Sequence, residues 1–267
     1  MWSPPKDRTS LQIFVDVTFA LLLREVKTRF GDRKFGYLWV LVEPILLITF
    51  LSIAFSFRGR EALGDTEYAV FVMLGLVPLF FFRKGTTSAM KAIKPNKGLF
   101  VYPVVRPFNA IAARILLELM ICVALLVIFA LGFWWLGMGH MPRDIGGVMG
   151  VLGVLLVMTS GLGFLLCVIN NYIPSVTSFW SMISMPLMIL SGAVIPVFIV
   201  IPPQYHDWLL LNPVLHCFEL IRYYWVDGYP LYVQASESWL YASSVALVML
   251  FLGLYGYRVT WRKMVAS

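Results

Sequence analysis

Long apolar stretches separated by short polar connections dominate this sequence. They cover residues 37–57, 68–82, 107–139, 145–205 and 239–257. A helix that crosses a bilayer needs about 20 apolar residues, so the 68–82 stretch must extend beyond Arg83. The 145–205 stretch is long enough for two helices and is interrupted at residues 170–175. The pattern therefore predicts an all-α, polytopic membrane protein with six transmembrane helices.

Two further segments are apolar but do not fit a spanning helix. In residues 11–35, apolar side chains recur at helical spacing beside cations, which predicts an amphipathic helix at the membrane interface. Those apolar side chains are Phe19, Leu23, Val26 and Phe30. Residues 196–238 are apolar, but prolines at positions 202, 203, 213 and 230 divide them into pieces too short to cross. We expect short re-entrant helices there, between spans five and six.

Composition and charge agree with the membrane interpretation. Hydrophobic residues make up 60% of the chain and charged residues 13%, whereas a soluble domain has about 25% charged residues. Six spans put both termini on one side of the membrane. That side receives 16 of the 21 lysines and arginines, the other side four, and Arg114 lies inside a span. The positive-inside rule then predicts cytoplasmic termini, and the net charge of +7 requires no nucleic-acid partner.

The sequence offers no recognisable catalytic, metal or cofactor site. It lacks the G-x-x-x-x-G-K-[ST] motif that holds ATP phosphates, and its histidines lack H-E-x-x-H spacing. Glu43, Arg114 and Glu118 are charges at membrane depth and hence functional candidates. Arg114 and Glu118 also have the i, i+4 spacing of a structural ion pair. His216 and Glu219 form a local pair typical of hydrogen bonding at a helix end.

Three segments keep two interpretations each. The 11–35 helix is either a plain membrane anchor or a functional element. The basic segment 83–107, the one sizeable internal cytoplasmic loop of the six-span topology, either binds a soluble partner or only sets the topology. The aromatic side chains of the 196–238 region form an interfacial belt or stack on sugar rings; they include Tyr205, Trp208, Tyr223, Tyr224, Trp225, Tyr229, Tyr232 and, just beyond, Trp239.

Several of these segments, in the same order along most of the chain, resemble ABC-2-type polysaccharide-export permeases. Arg24–Phe30, followed by Gly36–Trp39 and Glu43–Pro44, is similar to the opening of those proteins. Asn96–Leu99, with Pro103 and Pro107, resembles their cytoplasmic coupling loop. Asn212–His216 and Glu219–Arg222 resemble their periplasmic re-entrant region, and are most similar to capsular-polysaccharide permeases of the KpsM type.

The resemblance implies a single transmembrane domain over residues 1–267 in the bacterial inner membrane. The chain would be a homodimeric permease with two copies of a separate ATPase, which would hold the ATP and Mg²⁺. It would move lipid-linked capsular polysaccharide to the periplasm, toward periplasmic or outer-membrane export proteins. The turn at 170–175, which is short and uncharged, departs from the family pattern.

The resemblance also assigns roles to residues. The expected ATPase-coupling residues are Lys91, Lys94, Asn96, Lys97 and Leu99. Those of the entrance helix are Arg24, Lys27, Arg29 and Phe30. The substrate-path candidates are Tyr37, Trp39, Glu43, Arg114 and Glu118. Those of the re-entrant region are His216, Glu219, Arg222, Tyr224 and Trp225.

Two alternative functions remain open from the sequence. The first is an ABC-2-type exporter of another substrate, such as O-antigen, teichoic acid, a small hydrophobic compound or haem. The second is an integral-membrane glycosyl- or acyltransferase, which would need more polar residues near the interface than this chain supplies.

Overall fold

The computed structural model describes residues 9–30, 36–55, 67–137 and 141–266, and gives only the backbone at 36–39, 55, 265 and 266. Every regular element within these ranges is helical, so the all-α prediction is confirmed. The helices are α1 (Ser10–Phe30), α2 (Gly36–Phe55), α3 (Tyr68–Met90), α4 (Ile93–Asn96), α5 (Pro107–Trp135), α6 (Ile145–Tyr172), α7 (Val176–Leu190), α8 (Val197–Val200), α9 (His206–Leu210), α10 (Pro213–Trp225) and α11 (Ala235–Ala266).

Helix α3 lies at the centre of the bundle. Its sequence is apolar on all sides, and Phe71, Leu74 and Val77 are fully buried. Helices α2, α5, α6, α7 and α10 pack around it. A helix that is hydrophobic all round belongs in an interior of this kind rather than at a surface.

The C-terminal end of α3 differs from the sequence prediction. As expected, the 68–82 stretch extends past Arg83, and the helix runs on to Met90. The prediction of a loop beginning at residue 83 is therefore wrong, because residues 83–90 are helical. The charged side chain of Lys84 is accommodated by an ion pair with α2, because its Nζ lies 2.7 Å from Glu43 Oε2.

Helices α6 and α11 pack along each other through glycine. A Cβ at Gly161 would overlap the backbone of Met249 and Leu250, and a Cβ at Gly253 would overlap the Gly161 carbonyl oxygen. Small residues permit this close approach of two helix backbones, which is the common device in membrane helix packing.

The break at residues 170–175 is confirmed. Helix α6 ends at Tyr172 and α7 begins at Val176. Asn170 Nδ2 donates to the Met90 carbonyl at 3.2 Å, and Trp180 Nε1 donates to Thr87 Oγ1 at 3.0 Å. The turn is thus tied to the last turn of α3.

Residues 196–238 form short helical pieces, as the prolines predict. Pro196 precedes α8, a 3₁₀ turn starts at Pro203, and Pro213 is the first residue of α10. Proline favours these positions because its missing N–H would have no helical partner there. The pieces lie at the N-terminal ends of α3, α6 and α11, where the Tyr68 hydroxyl donates to the Val194 carbonyl.

Four helices in the described part of the chain are long and apolar enough to cross a membrane. They are Tyr68–Met90, Pro107–Trp135, Ile145–Tyr172 and Ala235–Met264, and the shorter apolar helices are Val40–Ala54 and Val176–Leu190. Large apolar side chains such as Leu131, Met182 and Phe251 are exposed on the bundle surface. A lipid environment accommodates such a surface.

Candidate functional site

A cluster of charged and polar side chains joins α1 to the C-terminal end of α3 and to α5. We call it the polar junction, and its members are Arg24, Glu25, Arg29, Ser88, Asn96, Arg114 and Glu118. They come from α1, from the neighbouring helices α3 and α4, and from α5. The junction lies at the same end of the bundle as the loop after Met90.

Arg114 joins three of these segments. Its Nε lies 2.8 Å from Glu25 Oε1 on α1, and its Nη1 donates to the carbonyls of Ser88 and Lys91 at 3.2 and 2.9 Å. These carbonyls belong to the end of α3 and the residue after it, which are groups that a helix leaves without internal partners. Arg114 thus holds α3 and α1 against α5.

Glu118 is one turn further along α5 and is nearly fully buried, at 2% exposure. Its Oε1 accepts hydrogen bonds from Arg29 Nη1 at 2.5 Å and from Ser88 Oγ at 2.9 Å. A buried carboxylate needs such partners. Arg114 and Glu118 therefore do not form the ion pair that their i, i+4 spacing suggested. Each of them instead binds a partner on α1.

The third connection reaches the loop after α3 directly. Arg24 Nη1 donates to Asn96 Oδ1 at 2.7 Å, and Asn96 Nδ2 donates to the Ala92 carbonyl at 2.9 Å. Asn96 is buried, whereas Lys91, Lys94 and Lys97 are exposed. The residues assigned to coupling by resemblance therefore divide into outward-facing lysines and an inward-facing asparagine, with Leu99 half-buried against the α1–α5 contact.

Helix α1 packs on α5 through only part of the predicted apolar face, together with two further leucines. Leu21 and Leu22 are buried against α5, whereas Phe19 and Leu23 are 57% and 53% exposed. Both faces are apolar, so helical spacing alone could not identify which one contacts protein. Phe30, from the predicted apolar face, is buried and Lys27 is exposed. Residues 31–35 of the predicted helix lie outside the described ranges.

Two cavities border the junction. One of about 230 Å³ is lined by charged residues of both signs, including Glu25, Lys91 and Arg114. A much smaller one, of about 20 Å³, lies between Arg29, Lys84 and Glu118 and reaches α2 at Pro44. The side chains of Tyr37 and Trp39 fall outside the described part, so Glu43 alone represents α2 among the substrate-path candidates.

The opposite end of α3 contains a second charged group. Arg222 of α10 is 1% exposed, and its Nη2 donates to the Gly192 carbonyl at 2.6 Å. Its Nη1 lies 2.8 Å from Glu219 Oε1, and its guanidinium lies 3.6 Å from the centroid of the Phe71 ring. We call Arg222 and Glu219 the buried anchor, since they join α10 to α3 and to the turn after α7.

Gly75 makes room for the buried anchor. A Cβ at this position would overlap the Ala193 carbonyl oxygen and would lie 2.7 Å from Arg222 Nη2. Glu219 also receives the Tyr229 hydroxyl, which lies 3.2 Å from each carboxylate oxygen. Burial raises the pKa of Tyr229, so this hydroxyl keeps its proton as the hydrogen-bond donor.

His216 does not pair with Glu219, contrary to the sequence prediction. Its Nε2 lies 2.9 Å from the Leu210 carbonyl and its Nδ1 lies 3.1 Å from Ser238 Oγ. A neutral ring satisfies both contacts if Nε2 carries the proton and Nδ1 accepts from the serine. Both ring nitrogens of His216 are thereby used, and the side chain bridges α9 to the start of α11.

Aromatic side chains of α10 pack inside the protein. Trp225 is 5% exposed, and Trp239 Nε1 donates to the Tyr224 hydroxyl at 2.9 Å. Gly147 and Gly150 on α6 leave space for the Tyr224 and Trp239 rings. Tyr224, Trp225 and Trp239 are therefore structural, as is Tyr229 at the buried anchor. Tyr205, Trp208 and Tyr232 remain more than half exposed.

Comparison with known proteins matches residues 16–225 to the model of the family described as ABC-2 type transporter. The chain belongs to the ABC-2 type transporter family. The matched range begins within α1 and ends at the last residue of α10, so it contains both the polar junction and the buried anchor.

Similar proteins of the family cover almost the same length as this ABC-2 transporter. The polysialic acid transport protein KpsM of Escherichia coli is 33% identical over 248 residues, which are 93% of this chain and 95% of that protein. The capsule polysaccharide export inner-membrane protein CtrC of Neisseria meningitidis serogroup A is 29% identical, covering 92% and 91% of the two chains. BexB of Haemophilus influenzae, with the same description, is 28% identical, covering 92% of each.

Family membership decides between the classes that the sequence left open. An ABC-2 permease is a transport subunit, so the glycosyl- or acyltransferase alternative is excluded. Membership also implies a partner ATPase subunit. Together with its long apolar helices, it makes this chain a multi-pass membrane protein.

The anchor's geometry could not be read from the sequence. Glu219, Arg222 and Gly192 stood out through the family resemblance, but nothing in the sequence indicated that they meet, or that Phe71 and Gly75 lie beside them. Their contacts to Arg222 span 30 residues or more. Such contacts depend on tertiary packing, whereas helix spacing is local.

Proposed function

We propose that this chain is the permease of an ATP-driven exporter that moves capsular polysaccharide from the cytoplasm to the periplasm. The observation that carries the proposal is similarity over more than nine-tenths of the chain to proteins named for polysialic acid transport and capsule polysaccharide export. The order and length of the helices are compatible with one permease domain over the whole chain. The polymer arrives attached to a lipid.

The assembly would contain two copies of this chain and two ATPase subunits in the inner membrane, with a pore between the two permeases. Helices α2, α3, α5, α6, α7 and α11 would be the six spans, with both termini cytoplasmic and residues 196–238 re-entrant from the periplasm. The lysine- and arginine-rich ends support this orientation. ATP and Mg²⁺ would be held by the ATPase, and periplasmic or outer-membrane export proteins would receive the polymer.

The polar junction supports a route for energy coupling. Exposed Lys91, Lys94 and Lys97 offer a basic surface for the ATPase. Displacement of this loop would reach α1 through Asn96 and Arg24, which are joined at 2.7 Å. It would reach α5 through Arg114, which binds the Lys91 carbonyl. The entrance helix and the loop would thus move together.

The same arrangement would place the entrance of the substrate path beside α1 and α2. Arg24, Lys27 and Arg29 border the cytoplasmic entrance, where cations attract anionic headgroups and substrates. Glu43, paired with Lys84, is the charge of α2 that faces α3. The assignment of this path to α2 and its neighbours is part of the proposal.

The test is deletion of the gene, followed by complementation with the intact chain and by measurement of surface polysaccharide. The proposal expects the deletion strain to accumulate polymer inside the cell and the complemented strain to restore surface polymer. Unchanged surface polysaccharide in the deletion strain, with loss of another exported compound, would contradict it. Co-purification of an ATPase with the intact chain tests the transporter class on its own, whichever compound the deletion strain fails to export.

A further inference from the structure

A cavity of about 240 Å³ opens beside α10, at the end of the bundle opposite the polar junction. Its walls are largely apolar and include Phe198, Pro230 and Tyr232. Phe198 and Tyr232 stack on each other with centroids 4.3 Å apart and an interplanar angle of 9°, and form one wall of the cavity. Pockets that bind small molecules have this composition, with few polar groups among apolar ones.

Glu219 supplies the polar group of this cavity. Its Oε1 is engaged by Arg222 at 2.8 Å, and the single proton of Tyr229 lies between the two oxygens at 3.2 Å from each. A carboxylate can accept about four hydrogen bonds. Oε2 therefore retains capacity for donors that enter the cavity.

The charge of this carboxylate is already balanced. Arg222 holds a full positive charge against it and is fully enclosed. A second cation at Oε2 would lie close to the Arg222 guanidinium, and an anionic group would meet the carboxylate itself. The site therefore favours an uncharged ligand that donates hydrogen bonds.

We propose that this cavity binds one uncharged sugar residue, two of whose hydroxyl groups donate to Glu219 while its C–H face packs on the aromatic and proline wall. This inference rests on the proposed function, since it names the part of the exported polymer that the chain holds. An acyl chain fits less well, because it would cover the carboxylate without giving it a donor.

The position of the cavity suggests what sugar binding would do during transport. Glu219 is fixed through Arg222 to α3, and the polar junction lies about 25 Å away along this helix at a rise of about 1.5 Å per residue. A sugar held here belongs to the part of the polymer that has already passed along the bundle. Retention at this end would oppose backward movement while the other end returns to its starting state.

The experiment is photo-labelling of the full chain in lipid nanodiscs with a diazirine derivative of maltotriose, an uncharged trisaccharide. Labelled peptides are identified by mass spectrometry. We expect labels on residues 196–199 and 229–232. Tyr232→Ala should lower this labelling about tenfold, because an aromatic contact is lost. Tyr232→Phe keeps the ring and should label as the unchanged protein does.

Two further variants control for folding and for non-specific contact. Ile199→Trp places a larger side chain at the exposed mouth and should also lower labelling without touching Tyr232. Tyr255→Ala removes an equally exposed tyrosine from α11 and should change nothing. Labelling that persists in both Tyr232→Ala and Ile199→Trp overturns the inference.

Other probes decide the ligand class. A diazirine derivative of a sialic acid trimer should label these peptides several-fold less than maltotriose, because it is anionic. Stronger labelling by the sialic acid trimer, or by a palmitic acid diazirine, overturns the uncharged-sugar assignment.

The result is separable from the test of the proposed function. If the intact chain restores surface polysaccharide but the trisaccharide does not label the cavity, the cavity inference alone fails. If deletion leaves surface polysaccharide unchanged but labelling depends on Tyr232, the export proposal fails and the sugar site stands.

Discussion

The two ends of α3 carry arginine–glutamate pairs in different environments. At the buried anchor, the side chains of Arg222 and Glu219 are 1% and 11% exposed. At the polar junction, Arg114 and Glu25 are 15% and 19% exposed, and Arg29 is 36% exposed beside an enclosed Glu118. The arginine is thus sealed in at the buried anchor, whereas the arginines of the polar junction are partly exposed to solvent.

This difference separates a fixed attachment from an adjustable one. A sealed pair cannot open without leaving charges unpaired, which is costly in a membrane protein interior. Arg114 and Glu25 are both partly exposed, so water can replace either partner at a smaller cost than at the buried anchor. The anchor therefore suits a part that stays assembled, and the junction suits contacts that break and re-form during a transport cycle.

Removal of the anchor's cation should have the largest effect. Arg222→Met leaves Glu219 and the Gly192 carbonyl without their partner, so we expect the free energy of unfolding to fall by about 3–5 kcal/mol. Denaturation of the purified protein in mixed micelles measures it. Adding Glu219→Leu to Arg222→Met should recover part of the loss, because it removes the unpaired carboxylate.

The matched control for this variant is Arg143→Met. Arg143 lies 3.4 Å from Asp227, and their side chains are 42% and 85% exposed. Its removal should leave the unfolding transition unchanged. Equal losses in the two arginine variants would contradict the distinction between sealed and exposed pairs.

A second way to test the anchor is to fill the space that it occupies. In Gly75→Ala, the added methyl group overlaps the Ala193 carbonyl and crowds Arg222, so we expect a loss of about 1–3 kcal/mol. Gly153→Ala on α6 is the control, because no atom of the described residues lies within 4 Å of the added Cβ. Thermal unfolding followed by size-exclusion chromatography compares the two, and equal melting temperatures would refute the packing role.

Helix positions could be predicted from the sequence because they depend on local properties. Apolar length set the long helices, and prolines set the short ones after α7. Contact faces could not be predicted where a helix is apolar on more than one side. Leu21 and Phe19 illustrate this on α1, since both are apolar and only Leu21 is buried.

The roles of the charged residues could also be predicted only in part from the sequence. Glu118 was identified as a candidate because a carboxylate at membrane depth is costly. Its partner Arg29 lies 89 residues away, and no local spacing could reveal it. The sequence thus located candidate residues, whereas their pairing required the tertiary arrangement.

Weakening the junction should affect coupling more than stability. Glu25→Gln keeps the side-chain shape but removes the charge that faces Arg114, at a cost of about 1 kcal/mol. We expect ATP hydrolysis by the complex to continue while export per ATP falls several-fold. Polymer export and phosphate release from reconstituted vesicles give this ratio. A fall in both activities together would instead indicate loss of the assembled complex.

The smallest effect on the permease itself is expected at the exposed loop. Replacing Lys91, Lys94 and Lys97 with glutamate should leave the melting temperature unchanged but detach the ATPase. Arg258, Arg262 and Lys263, exposed on α11, allow the same charge reversal as a control. Co-purification of the ATPase is the measurement. Retention of the ATPase by the loop variant would assign the loop to membrane topology alone.

The glycine contact between α6 and α11 has a consequence for biosynthesis. The family model ends at residue 225, before α11 begins. A chain emerging from the ribosome up to that residue presents the Gly161 surface of α6 without its neighbour, and His216 without Ser238. A fragment that ends at residue 225 would thus lack the contacts that α11 makes with α6 and α10. Nascent or truncated chains that lack α11 should be substrates for membrane proteases until the last helix arrives.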